Sequence, residues 1–264
     1  MRLTSAARRG ALTPALPMPY PALENFGLRL RRGQVSLTVA APGVGKSQLW
    51  NNLAQRMGVP TVYWSADTDQ HDVMMRTIAL WSGSTTADVE RNISEPSWAE
   101  HYGRTLTAGA HVEWVFDSSI TPRVVGERMK AFAEVHGQYP HLFVVDNLSN
   151  TVQNQADELS EQKEVMVAMQ RLARESDAHI SILAHAKGVY DSGDKPIPQS
   201  GALNNLFKIP ETGLTLHRAD AAGNHLGLNV VKNRGGKADP GAQHPIRFEV
   251  DYSRGTVAGF RRAA

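Results

Sequence analysis

The run Ala40-Ala41-Pro42-Gly43-Val44-Gly45-Lys46-Ser47 constrains this chain more than any other feature. It follows Val35-Ser36-Leu37-Thr38-Val39, a short β-rich stretch. Leu49, Trp50, Leu53, Ala54 and Met57 come after it at helical spacing, and Gly58 with Pro60 stops that helix. Strand, small-residue loop and helix in this order let backbone N–H groups converge on an anion. The binding segment is Ala41, Pro42, Gly43, Val44, Gly45, Lys46 and Ser47. Its inward amides and the positive end of the following helix suit the phosphates of ATP. Lys46 is placed to reach the β- and γ-phosphates, and Ser47 to offer its hydroxyl to Mg²⁺. Ala40 stands where the first glycine of such loops is usual, a difference of one methyl group.

The rest of the chain alternates strand and helix. Strands are expected at 61–65, 112–116, 141–145, 178–184, 213–217 and 226–232, with 246–250 at a sheet edge. Helices are expected at 73–81, 124–135 and 161–175. Such alternation implies an α/β fold with a mostly parallel central sheet flanked by helices, and antiparallel strands toward the C-terminus. With 264 residues there is room for one large α/β domain over 21–264, preceded by an Ala-, Arg- and Pro-rich arm or linker at 1–20. No run of 18 apolar residues suggests a membrane span. Arg2, Arg8 and Arg9 are not followed by the apolar core of a secretory signal. The absence of cysteine excludes disulfides, zinc–thiolate sites and cysteine nucleophiles, and fits a cytoplasmic protein. A net charge of +2 excludes a globally basic coat, so any nucleic-acid contact must come from a local patch.

Two carboxylates complete the phosphate chemistry. The apolar run Leu142-Phe143-Val144-Val145 delivers Asp146 at its C-terminal end, where a carboxylate can hold Mg²⁺. The strand at 61–65 runs into Ala66-Asp67-Thr68-Asp69. Asp67 directly follows the strand and is the candidate for orienting the attacking water; Asp69 is better placed as a helix N-cap. His179 reads as structural. His111 and Glu113 lack any companion metal ligands, and no metal is assigned to them.

Taken in order, these segments resemble the RecA-like motor domain of DnaB-type hexameric replicative helicases, including small phage and plasmid forms. The likeness rests on Gly33-Gln34-Val35 before the phosphate loop, Ser65-Ala66-Asp67 at the position of the family's Ser-Leu-Glu, Asp117 after the third strand, and Asp146. It continues through Ile182-Leu183-Ala184-His185, Ser200-Gly201-Ala202-Leu203 and Lys232-Asn233-Arg234-Gly235-Gly236, the last resembling Lys-x-Arg-Asn-Gly. It covers about residues 21 to 260. This chain departs from the pattern in having Asp67 for glutamate and His185 for the γ-phosphate-sensing glutamine, and no counterpart of the family's N-terminal collar domain is expected within residues 1–264.

The resemblance implies an ATP- and Mg²⁺-dependent ring, a hexameric homo-oligomer translocating on single-stranded DNA, with replication proteins among its partners. It implies that Lys232 and Arg234 act on a neighbour's ATP and that His185 senses the γ-phosphate. Loops at 149–161 and 186–200, the latter with Lys187 and Lys195, would face the channel, and the arm would touch an adjacent subunit. The alternative is a recombinase-like or regulatory ATPase, since recombinases share the same core, or a helicase loader, which also carries a phosphate loop, in either case without unwinding activity.

Overall fold

The structure, a computed structural model, describes residues 15–118, 120–151, 158–201 and 203–259. Among these residues nine strands form one sheet in the order β3-β2-β4-β5-β1-β6-β7-β8-β9. They are β1 (Val35–Ala40), β2 (Thr61–Ser65), β3 (Val112–Val115), β4 (Leu142–Asp146), β5 (His179–His185), β6 (Thr212–Arg218), β7 (His225–Asn233), β8 (Ile246–Asp251) and β9 (Thr256–Gly259). The first six are mutually parallel, and β7, β8 and β9 add antiparallel. The helices are α1 (Pro21–Phe26), α2 (Lys46–Met57), α3 (Gln70–Ser82), α4 (Thr86–Ile93), α5 (Trp98–Ala108), α6 (Pro122–His136) and α7 (Glu158–Ser176).

Strands β1, β4 and β5 are buried along almost their whole length because both faces are covered. On one face Val39, Phe143, Val145 and Ile182 pack against Val125, Met129, Met166 and Met169 of α6 and α7. On the other, Val144, Leu183 and Leu214 meet Leu49, Trp50 and Leu53 of α2. A smaller cluster of Met75, Ile78, Val89 and Tyr102 joins α3, α4 and α5. His179 lies fully buried inside the sheet, bonded to Ser36 Oγ at 2.9 Å and to the Arg31 carbonyl at 2.9 Å; burial lowers its pKa to about 4. It is a neutral structural group.

The structure corrects the sequence reading in three places. β8 is not an edge strand: β9 pairs with its outer side. Helices α4 and α5 lie where no helix bounds were expected, and α1 precedes β1. All are short, at 6, 8 and 11 residues, too few turns for a helical period to stand out in the sequence. Within the arm expected at 1–20, residues 1–14 lie outside the described residues. The remainder packs on the domain: Leu16 and Tyr20 are buried, and Tyr20 OH donates to the Val257 carbonyl at 2.9 Å. Among the described residues no helix is long and apolar enough to cross a membrane.

The C-terminal hairpin is tied to α2 by Asn52. Its amide donates to the Gly255 carbonyl at 2.8 Å, and its oxygen accepts from the Val257 N–H at 3.0 Å. Replacing Asn52 with alanine strands two polar backbone groups beneath a packed surface. The expected loss is about 2–4 kcal/mol of stability, read by chemical denaturation.

Candidate nucleotide-binding site

All of β1, β2, β4 and β5 end at one edge of the sheet, and the residues singled out in the sequence gather there. Gly43 and Gly45 have φ of 69° and 113°, a region that side chains avoid, and they turn the backbone around the mouth of α2. Gly45 is also the N-cap of α2, so Lys46 and Ser47 form its first turn. Here the helix end is open to an anion.

Lys46 is 5% exposed. Its Nζ donates to the Ala40 carbonyl at 3.1 Å and the Ala41 carbonyl at 3.4 Å, and meets His185 Nδ1 at 3.0 Å. Burial lowers the lysine pKa to about 8, against the attraction of Asp146 and Asp67. An ammonium has only donors, so Nδ1 of His185 accepts and the ring proton sits on Nε2. That nitrogen lies 3.9 Å from Asp67 Oδ2 and 3.1 Å from Asn147 Nδ2. Burial, then the Lys46 charge, lowers the His185 pKa, with Asp67 opposing, and keeps the ring neutral.

Asp146 is buried at the end of β4, where its carboxylate accepts from Tyr63 OH at 3.0 Å and from the Ser47 hydroxyl. Burial raises its pKa, opposed by those two bonds and by Lys46. The Asp146–Asn147 peptide is cis. Asp67 follows β2. It accepts from Asn147 Nδ2 and, through its other oxygen, from Asn150 Nδ2 at 2.9 Å. Asp69 is the N-cap of α3, accepting from His71 N at 2.6 Å and Asp72 N at 3.2 Å.

A cleft of about 330 Å³ is lined by Gly43, Lys46, Ser47, Asp67, Asp146 and His185, with Arg76 and Tyr252 on its walls. The residues present fit a nucleotide with Mg²⁺. The glycine cradle leaves the amides uncovered, and no atom lies within 4 Å of where a Gly43 Cβ would stand. Ser47 and Asp146 are paired hard oxygen donors, the kind Mg²⁺ takes.

Sequence reasoning missed four contributors. Tyr63 anchors Asp146, and Asn147 donates to Asp67 beside His185. Tyr252 OH donates to the Val44 carbonyl at 3.3 Å, and Arg76 faces the cleft from α3. Only Asn147, adjacent to Asp146, carried a local signal.

Lys232 and Arg234 do not join this cleft. Gly213 of β6 is opposite Lys232, and Thr212 pairs with Ser36 near the start of β1. Both basic residues therefore stand at the far edge of the sheet, about 20 Å along the strands from their own phosphate loop. Burial, then Arg234, lowers the Lys232 pKa to about 8. Its Nζ donates to the carbonyls of Phe207 and, at 3.0 Å, of Lys208.

The loop after β5 lies against the phosphate loop. A Cβ placed on Gly193 would come within 2.5 Å of Val44 Cγ2. Lys187 and Lys195 are exposed on either side of Gly193. Of the other loop expected to face a channel, residues 152–157 lie outside the described residues, as does Ala202 of the Ser-Gly-Ala-Leu stretch.

No family model matches the sequence. Among solved structures, the chain is similar to a DnaB-like replicative helicase, solved to describe that helicase and its interactions with primase. The TM-score is 0.79 with 12% identity, over 93% of this chain and 63% of that one. It is also similar to a separately solved ATPase domain, at a TM-score of 0.78 and 12% identity, covering 93% of this chain and 91% of that one. These likenesses establish the RecA-like fold of DnaB-type motor domains. In sequence, it is 33% identical over 240 residues to the Gene 65 protein of Mycobacterium phage L5, covering 89% of each. It is 32% identical over 209 residues to the Gene 65 protein of Mycobacterium phage D29, covering 77% of this chain and 90% of that protein. The chain thus belongs to the family of mycobacteriophage Gene 65 proteins.

Proposed function

We propose that this protein is a Mg²⁺-dependent ATPase, assembled as a hexameric ring, that uses ATP for translocation along single-stranded DNA during phage replication, as a helicase. The observation that carries this reading is a division of residues. Lys46, Ser47, Asp67, Asp146 and His185 meet in one cleft, while Lys232 and Arg234 stand at the opposite edge of the sheet. A head-to-tail ring joins those two edges across a subunit boundary.

In this reading the amides of Gly43 to Ser47 and the Lys46 cation bind the phosphates. Ser47 and Asp146 hold Mg²⁺, which neutralises charge on the phosphate oxygens when bound. Asp67 orients the attacking water, steadied by Asn147 and Asn150. His185 stands beside Lys46 to register the γ-phosphate. Arg234 of the neighbour, with Lys232 beside it, stabilises charge on the transferring group, an effect worth about 10³–10⁵ in rate. Lys187 and Lys195, repeated around a ring, give the DNA backbone a positive track.

ATP turnover of size-fractionated protein, with and without single-stranded DNA, tests the reading. Stimulation by DNA confined to the large species is expected; a DNA-indifferent monomer with full turnover overturns it. One observation favours a second reading, a regulatory or assembly ATPase without unwinding: both Asp67 oxygens accept from asparagine amides. Failure to separate a forked duplex, with ATP turnover intact, selects it.

A further inference from the structure

Glu211 lies just before β6 with a side chain 12% exposed, and its contacts run in two directions. Toward the core it is fixed to Val35, the first residue of β1. Its backbone N–H donates to the Val35 carbonyl at 3.0 Å, and Val35 N–H donates to Glu211 Oε2 at 3.0 Å. These two bonds stop the carboxylate from swinging. Toward the surface, the other oxygen Oε1 accepts from Gln170 Nε2 at 3.1 Å and lies 3.8 Å from both Arg174 Nη2 and Arg234 Nη1. The Arg234 backbone is bonded there as well, its N–H donating to the Glu211 carbonyl at 3.0 Å. Arg234 Nη2 also donates to the Lys208 carbonyl at 3.3 Å.

We propose that Glu211 is a positioning residue for Arg234, a fixed anion that presents the guanidinium at the sheet edge for use in a neighbouring subunit. The proposal rests on the reading of Arg234 as a group acting in trans. Its physical basis is entropy. A free arginine side chain carries about 2 kcal/mol of rotamer freedom, which must be lost when it engages a phosphoryl group. A half-exposed Arg234 held at its base by a rigid carboxylate loses less. Because Glu211 is also bonded to the root of β1, the strand that carries its own subunit's phosphate loop, the finger and that loop share one mechanical anchor. Arg174 draws on the same oxygen and competes for it.

Mixed rings separate the two layers of the argument. Subunits carrying Arg234→Ala keep an intact cleft but offer no finger, and subunits carrying Lys46→Ala offer fingers from a dead cleft. Assembled together, they are expected to regain turnover that neither shows alone. The donor is then changed to Lys46→Ala with Glu211→Gln, which keeps shape and the bond from Val35 but removes the charge. Rescue is expected to fall about tenfold in kcat with the KM for ATP unchanged, because the finger acts in the transition state. A generally unfolded donor would instead fail to enter the ring, which sizing of the mixture reads directly. If the glutamine donor does not assemble, Glu211→Asp in the same donor retains charge and shortens the reach by one methylene; a smaller loss of kcat is expected. An assembled donor that rescues as well as Lys46→Ala alone overturns the role of Glu211 and leaves the trans reading standing. No rescue even by Lys46→Ala alone overturns the trans reading and this proposal with it.

Discussion

Changing Lys46 to methionine is expected to lower ATP turnover about 10³-fold while making the nucleotide-free protein harder to unfold. The first half follows from removing a buried positive charge aimed at developing negative charge, a loss of the size seen for oxyanion donors. The second half follows from the lowered pKa of Lys46, about 8 in the folded chain against the ordinary 10.5. The sign is set by proton count. Between those two values the unfolded chain binds more protons, so stability rises with pH through this window. Below it the empty fold carries the whole penalty, on the order of 3 kcal/mol. Methionine keeps the apolar stem and removes the charge. The carbonyls that Lys46 leaves behind retain other partners: Ala40 accepts from Ala186 N–H at 2.9 Å and Ala41 from Val44 N–H at 3.4 Å. Thermal melts at pH 7 should show the variant several degrees above the parent, with the gap closing above about pH 10.5, where the parent lysine is neutral in both states. A variant that melts below the parent at pH 7 would show that Lys46 stabilises the empty loop. The same physics makes nucleotide affinity fall through pH 8 and above, as the loop loses its cation before phosphate arrives.

Much of the phosphate end was legible because its chemistry is contiguous. Gly43, Gly45, Lys46 and Ser47 lie within five positions, and strand and helix periodicity flank them. Asp146 and Asp67 were legible because each ends an apolar run, and parallel strands bring such ends to one edge. Residues that support these groups were not. Tyr63 reads as one more apolar strand residue until the register of β2 with β4 puts its hydroxyl on Asp146. Tyr252 reaches Val44 across 208 residues of chain, a contact with no local trace. The bounds of α4 and α5 were not legible for a different reason. Their cohesion comes from Val89 and Tyr102 meeting Met75 and Ile78 of α3, so tertiary packing, rather than a long amphipathic pattern, holds them helical.

The packing of the loop after β5 on the phosphate loop makes a second strong expectation. Gly193→Ala should weaken nucleotide binding by roughly tenfold to a hundredfold and lower the melting temperature. Two costs add. Gly193 has φ of 70°, a conformation that costs an alanine about 1–2 kcal/mol. Its new methyl would also meet Val44 Cγ2 at 2.5 Å and Ala41 Cβ at 3.1 Å, an overlap costing about 1–3 kcal/mol to relieve. The glycine cannot simply retreat, since its carbonyl accepts from Arg218 N–H at 2.7 Å and its N–H donates to the Tyr190 carbonyl at 3.1 Å. Val44, buried in the apolar cluster behind this loop, must move instead, and with it the amides that wrap phosphate. Gly188→Ala is the matched control. It has nearly the same φ, 72°, but no atom lies within 4 Å of its Cβ position. It should lose stability through backbone strain alone and keep its nucleotide affinity. Equal nucleotide affinities for the two variants, measured by calorimetry, would break the link between this loop and the phosphates. A difference confined to Gly193 would mean that the segment bearing Lys187 and Lys195 moves with the phosphate loop, so a change at the nucleotide reaches those lysines through Val44.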